Sequence, residues 1–281
     1  MPSRRAFAGL LTVSAGLAAL TACTPQDGAP SPAAASMPAQ TDVAAPAPAS
    51  SAAAATPTPS ATAEPTAATS PGPAPSSTIK TQHSLTDPTS PWVIVNKHRP
   101  LNPQDFVPAD LVQPAIRLAV SGEAALLNST TAAAAERMFG AAASEGVIMT
   151  LASGYRSYTT QVSTYNGYVA STGQAAADRA SARPGHSEHQ TGWSFDIGDG
   201  GGACSFQPCF AEQPAAVWAK ANAHKFGFVV RYPWMFHDTT GYFYESWHLR
   251  YIGVDAAVDM ATRGITTLEE YFGLEAAPDY L

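Results

Sequence analysis

The sequence has 281 residues, a formal net charge of −7 and only 13% charged residues. No basic stripe runs along it, which argues against nucleic acid as a partner. Beyond the N-terminal segment no apolar run reaches membrane-spanning length, so nothing there reads as a transmembrane helix.

In chain order, the first element is a targeting segment. Arg4 and Arg5 give a positive start, Ala6 to Leu20 an apolar stretch, and "LTAC" (Leu20 to Cys23) ends it. This is the pattern of an export signal. "SRRAF" (Ser3 to Phe7) has a twin-arginine flavour. "LTAC" resembles a bacterial lipoprotein box, whose cysteine takes lipid and becomes the first residue. Residues 1–23 therefore read as a lipoprotein-type signal, with a lipid anchor at Cys23 holding an exported chain to the outer face of the cytoplasmic membrane.

Residues 24–82 read as a stalk. From Thr24 to Lys80 the chain is nearly all Ala, Pro, Ser and Thr, without Phe, Trp or Tyr, and holds half of the 24 prolines. Proline suppresses both helix and sheet, and a segment without large apolar side chains cannot offset its ordering entropy. The expectation is disorder with polyproline II character.

Residues 83–281 are long enough for one good core. "NSTTAAAAERMFGAAASEG" (Asn128 to Gly146) predicts a helix with a polar cap and a Gly stop. "VIMTLAS" (Val147 to Ser153) predicts a buried strand, and "YTTQVSTYNGYVAS" (from Tyr158) a helix with Gln161, Tyr165 and Tyr168 on one face. "WSFDIG" (Trp193 to Gly198) and "FGFVVRY" (Phe226 to Tyr232) alternate like strands. "PAAVWAKANAHKF" between them is helical, with Pro214 at its start. "GVDAAVDMATRG" and "TLEEYFG" close the chain as short helices. Helices and strands mix without strict βαβ alternation, so the expected class is α+β, a single domain with a small, mainly antiparallel sheet flanked by helices. Of three cysteines, Cys204 and Cys209 remain once Cys23 is lipidated. Outside the cytoplasm they should pair. The competing reading, two zinc-binding cysteines, lacks a second pair to complete a structural site.

The chemistry gathers in "HSEHQTGWSFDIGD" (His186 to Asp199) and "ESWHLRY" (Glu245 to Tyr251). Catalytic zinc takes three protein ligands and keeps one position open. A turn at Gly192 followed by a strand could bring His189 and Asp196 to one point, with His248 as third ligand. Two His and one Asp leave a zinc site electrophilic. Hydrolysis also needs a base that is not a ligand, and Glu245, three residues before His248, is the candidate. Arg156, after the strand ending at Ser153, suits bidentate binding of a carboxylate; a structural ion pair is the other reading. His186 is a candidate for supporting a ligand. His83, His98, His224 and His237 read as structural or surface groups. Trp193, Phe195, Tyr242, Tyr244 and Trp247 read as core, with one or two walling a cleft.

Three motifs now carry a resemblance. "SEHQTGWSFD" matches S-x-H-x-x-G-x-x-x-D, "ESWHLRY" matches E-x-W-H-x-R-Y, and "SGYRSYTTQ" (Ser153 to Gln161) matches S-G-Y-R-S-x-x-x-Q. All three are patterns of the VanY-type D-alanyl-D-alanine carboxypeptidases, they occur in that family's order, and the likeness spans Trp92 to Phe272. The resemblance implies the fold shared with lysostaphin-like and hedgehog-like zinc domains. It implies Zn²⁺ held by His189, Asp196 and His248, Glu245 as the base that activates water, and Arg156 as the group that polarises the substrate carbonyl or holds its carboxylate. Gln161 and Ser187 look like substrate contacts. Ser194 stands where the family usually has Ala, Ser246 where Pro is common, and His186 where Tyr is frequent. The expected function is a monomeric zinc D,D-carboxypeptidase that trims D-Ala from peptidoglycan stem peptides. The alternatives are an L,D-carboxypeptidase or endopeptidase on the same site, or a non-catalytic zinc-stabilised wall-binding module.

Overall fold

Asn128 sets the first long helix. Its side chain accepts hydrogen bonds from the backbone N–H groups of Thr130 and Thr131, satisfying donors that a helix start leaves open. The computed structural model describes residues 82–281. The signal segment, the Cys23 anchor and the stalk up to residue 81 lie outside the described residues.

Two short strands, β1 (Leu111–Val112) and β2 (Leu127–Asn128), pair antiparallel and lead into α1 (Ser129–Ser144). Its buried face is Ala132, Ala135, Met138, Phe139 and Ala142, the spacing of one helical stripe. Strand β3 (Thr150–Ser153) is shorter than the seven-residue apolar run suggested. Helix α2 (Tyr158–Thr172) is capped by Ser157 Oγ, which accepts from Thr160 N–H. Gln161 and Tyr165 face inward, whereas Tyr168 is largely exposed. A further helix, α3 (Gln174–Ala180), follows Gly173.

The remaining elements complete one four-stranded sheet. They are β4 (Ser194–Gly198), α4 (Pro214–Asn222), β5 (Phe228–Tyr232), α5 (His237–Thr240), β6 (Glu245–Tyr251), α6 (Val254–Arg263) and α7 (Leu268–Tyr271). The expected helix after Pro214 gives way at Ala223 to a 3₁₀ turn through Phe226, and Gly227 at φ 92° redirects the chain into β5. Strand order is β3-β4-β6-β5, antiparallel throughout. The fold is therefore α+β with a small antiparallel sheet flanked by helices.

Alternation along a strand sends neighbouring side chains to opposite faces. Phe195, Ile197, Trp247, Leu249 and Phe228 join Met138, Phe139, Phe210 and Trp218 in the main core. On the other face the two central strands carry polar groups, and the register sets Asp196 opposite His248 and Ser194 opposite Arg250. A smaller core packs Trp92 and Ile94 on Ile252, Met260 and Leu268, with Trp92 Nε1–H donating to Ile252 O at 2.8 Å. Cys204 and Cys209 form a disulfide. Among the described residues no helix is long and apolar enough to cross a membrane.

Candidate metal centre

The 3₁₀ turn Glu188–Thr191 ends at Gly192, whose φ is 69°. A Cβ there would lie 2.8 Å from Asn128 N, so both the left-handed backbone and the close approach call for glycine. The turn delivers His189 to the mouth of β4. From β4 comes Asp196, and from the neighbouring β6 comes His248. All three are buried, and one donor atom from each lies within 4.8 Å of the others.

Each imidazole has one nitrogen in the cluster and the other tied behind it. His189 Nδ1 meets Gly154 O at 2.7 Å, and its Nε2 is 3.4 Å from Asp196 Oδ2. Gly154 is itself pressed on the backbone: a Cβ there would come 2.5 Å from Leu126 O. His248 Nδ1 lies 3.0 Å from Asp196 Oδ1, while its Nε2 faces Glu188 Oε2 at 3.4 Å. The two rings stand edge to face, 4.9 Å apart.

Burial lowers the pKa of His189, with Asp196 pulling the other way. Burial also acts against charge on His248, but hydrogen bonds to Asp196 and Glu188 outweigh it and hold the ring up at about 9. Asp196 resists burial and stays far below the carboxylate range, held there by both histidines. Glu245, 3.8 Å from His248 Nδ1, behaves oppositely: burial pushes it up to about 8, and His248 only partly opposes this. Two nearby carboxyls thus sit at opposite ends of the scale, the usual mark of separate tasks.

Two imidazole nitrogens and a carboxylate, buried and with the outer imidazole nitrogens already fixed, match in type and number the protein donors that catalytic zinc takes. The residues present fit that ion.

The cluster floors a cleft of about 550 Å³. Arg156 lines it, held by hydrogen bonds from Nη1 to Gln161 Oε1 and from Nη2 to Ser153 Oγ, each 3.1 Å. Ser187 also lines it. Gln161 sits behind Arg156, fully buried, its Nε2 donating to Ser181 Oγ and Ala182 O. Tyr242, Tyr244 and Trp247 form walls, whereas Trp193 and Phe195 lie in the core. His186 stays out of the cluster: its Nδ1 meets Asn96 O at 2.8 Å and its ring packs on Tyr280. His237 is exposed and His224 lies in the turn after α4. Ser194 Oγ and Ser246 Oγ, at the two departures from the family pattern, are buried without a hydrogen-bond partner.

Sequence reasoning assigned no role to four buried charges beneath the cluster. Arg231 Nε donates to Glu188 Oε1 at 2.8 Å and its two Nη atoms clasp Glu269 at 2.9 and 2.7 Å. Arg250 Nη1 reaches the same Glu188 oxygen at 2.9 Å. The available signal was modest: Glu188 and Arg250 lie inside the two site motifs, and Arg250 follows His248 by two positions on one strand.

A cleft floored by such a donor set, with a half-buried carboxyl beside it and an arginine on its wall, defines a metallopeptidase-type hydrolase. Residues 124–254 match the family model VanY, D-alanyl-D-alanine carboxypeptidase. The protein YodJ of Bacillus subtilis (strain 168) is 37% identical over 191 residues, 67% of this chain and 69% of that protein. The LdcB LD-carboxypeptidase structure superposes with a TM-score of 0.62 at 37% identity, covering 66% of this chain and 87% of that one. A vancomycin-resistance D,D-pentapeptidase VanY from a VanB-type cassette, solved in complex with Zn(II), gives 0.53 at 31% identity, covering 64% and 97%. The chain belongs to the VanY family of carboxypeptidases.

Proposed function

We propose that the chain is a zinc-dependent D,D-carboxypeptidase that removes the terminal D-Ala from peptidoglycan stem peptides. One observation carries the reading: His189, Asp196 and His248 converge at the floor of a cleft with Glu245 beside them. Those three residues would hold the metal. When bound, zinc supplies a Lewis acid that acidifies water and polarises a carbonyl, and its charge draws Glu245 back toward the carboxylate form.

Glu245 takes the proton of the attacking water and hands it to the departing D-Ala amine. Its burial suits it to hold a proton near neutral pH. Arg156 keeps N–H groups beyond those bonded to Gln161 and Ser153. These pair with the substrate's terminal carboxylate, or with the carbonyl oxygen as charge develops on it. Gln161 contributes by orienting Arg156, and Ser187 offers a hydroxyl at the cleft wall. Export, a lipid anchor at Cys23 and a monomeric catalytic head borne on the Ala/Pro/Ser/Thr-rich stalk belong to the same proposal.

A second reading, an L,D-carboxypeptidase acting on tetrapeptides, is favoured by the greater structural likeness to LdcB than to the VanY pentapeptidase. Digestion of defined tri-, tetra- and pentapeptide muropeptides, with products weighed by mass spectrometry, separates the two. The D,D reading expects pentapeptide to lose one D-Ala and tetrapeptide to persist. Trimming of tetrapeptide with pentapeptide intact replaces it with the L,D reading, and no product from either removes carboxypeptidase activity altogether.

A further inference from the structure

The zinc reading fixes which nitrogen of each histidine faces the ion, and it leaves the other nitrogen to be explained. A neutral imidazole that ligates through one nitrogen carries its proton on the other, and that proton needs an acceptor when buried. His189 finds a backbone carbonyl, Gly154 O at 2.7 Å. His248 has Nδ1 in the cluster, 3.0 Å from Asp196 Oδ1, and would ligate through that atom; its Nε2 points the other way, into the protein, where Glu188 Oε2 lies at 3.4 Å.

Glu188 is an unusual acceptor. Its side chain is wholly buried, as are those of Arg231 and Arg250. Both guanidiniums donate to one oxygen, Oε1, at 2.8 and 2.9 Å. That division leaves Oε2 for the imidazole. Arg250 is anchored further by the carbonyls of Pro91 and Val93, and Arg231 by Glu269, which also accepts from Asn96 Nδ2 at 3.1 Å. The carboxylate is therefore clamped on one oxygen and aimed with the other. Glu188 and His189 are consecutive in one 3₁₀ turn, so a single turn sends one residue into the cluster and its neighbour underneath, to the opposite histidine.

We infer that Glu188 is the positioning residue for His248, fixing it as an Nδ1 ligand and raising its donor strength, with Arg231 and Arg250 serving to hold that carboxylate in place. The inference rests on the zinc reading above. A carboxylate behind a metal-bound histidine raises ligand basicity and sets ring orientation, and losing such a partner typically weakens metal affinity about 10- to 100-fold.

The test compares Glu188→Gln with Glu269→Gln in the full chain. Both remove a carboxylate from the same buried network, but only the first touches His248. Zinc dissociation constants come from competition with a chromophoric chelator, alongside thermal melting. The expected result is that both variants melt earlier, while Glu188→Gln alone binds zinc about 10- to 100-fold more weakly. Equal zinc affinity in Glu188→Gln and the parent overturns the inference, as does equal weakening in both variants. Should Glu188→Gln not fold, nitrogen-15 NMR of the parent loaded with zinc decides: His248 must carry its proton on Nε2, and a proton on Nδ1 sinks the idea. A parent that binds no zinc defeats the functional reading itself, which keeps the two failures apart.

Discussion

Two clusters of charged and polar side chains lie buried within one sheet's reach of each other, and they are built on opposite terms. Toward one end of the sheet's polar face, two guanidiniums meet two carboxylates, and every bond from Arg231 and Arg250 has a receiving oxygen. At the cleft floor, two imidazoles and two carboxyls crowd together, with Arg156 as the cation nearest in the cleft wall. The first cluster is closed and neutral, which is what a dry interior tolerates. The second gathers two imidazole nitrogens and a carboxylate on one point, a convergence suited to a divalent cation. Burial of charge by itself does not mark a site; a convergent set of donors does.

The sharpest way to break the contrast is at Glu245. If the open cluster is catalytic, Glu245→Gln should lower kcat by about 10²- to 10⁴-fold, the usual worth of a positioned acid–base group. Zinc binding should survive, because Glu245 is not among the three donors that converge. Turnover and zinc content measured on the same sample check this. Turnover that persists in the variant would take Glu245 out of the reaction.

The closed cluster should answer in stability instead. Arg231→Ala leaves Glu269 in the interior with only the amide of Asn96, and Glu188 with Arg250 as its one guanidinium, both carboxylates essentially inaccessible to solvent. Removing one partner of a buried pair typically costs about 3–5 kcal/mol. Denaturant titration of the parent and the variant measures it. A loss under about 1 kcal/mol, the worth of a surface ion pair, would mean that water reaches the cluster.

How far the sequence alone disclosed these two clusters follows from the physics of each. The metal donors were legible because few residue types hold a divalent ion and because Gly192 advertises the turn between two of them. Helices α1 and α2 were legible from apolar spacing and their caps. Strand β6 was not assigned as a strand. Its polar face carries His248 and Arg250, so the stretch resembles a loop until Asp196 and Ser194 are known to lie opposite. Helix α3, rich in Ala but with Ala177 as its one buried residue, offers no stripe to detect. The closed cluster was invisible for a simpler reason. Glu188 finds Arg231 43 positions away and Arg250 62 away, and no local pattern couples charges at that range. A buried Glu reads as an exposed one until its partners are in place.

The gentlest test uses acid. Burial works to raise the pKa of Glu269, but Arg231 and the amide of Asn96 outweigh it and leave the carboxyl below its ordinary value. An unfolded chain takes up this proton near pH 4.3, before the folded chain does. The stabilising contribution is therefore complete above that pH and is lost as pH falls through the lower, folded value. Glu269→Gln keeps a polar partner for Arg231 but gives up the charge, a change worth about 1.5–3 kcal/mol for a hydrogen bond to a charged group. The parent should lead the variant by that margin at pH 7, and the margin should narrow as pH is taken down through 4 toward 3, read from denaturant midpoints. A margin that stays constant over this range would assign the effect to shape rather than charge, and Arg231 would then be held by packing against Tyr232, whose ring lies 5.1 Å from its guanidinium carbon.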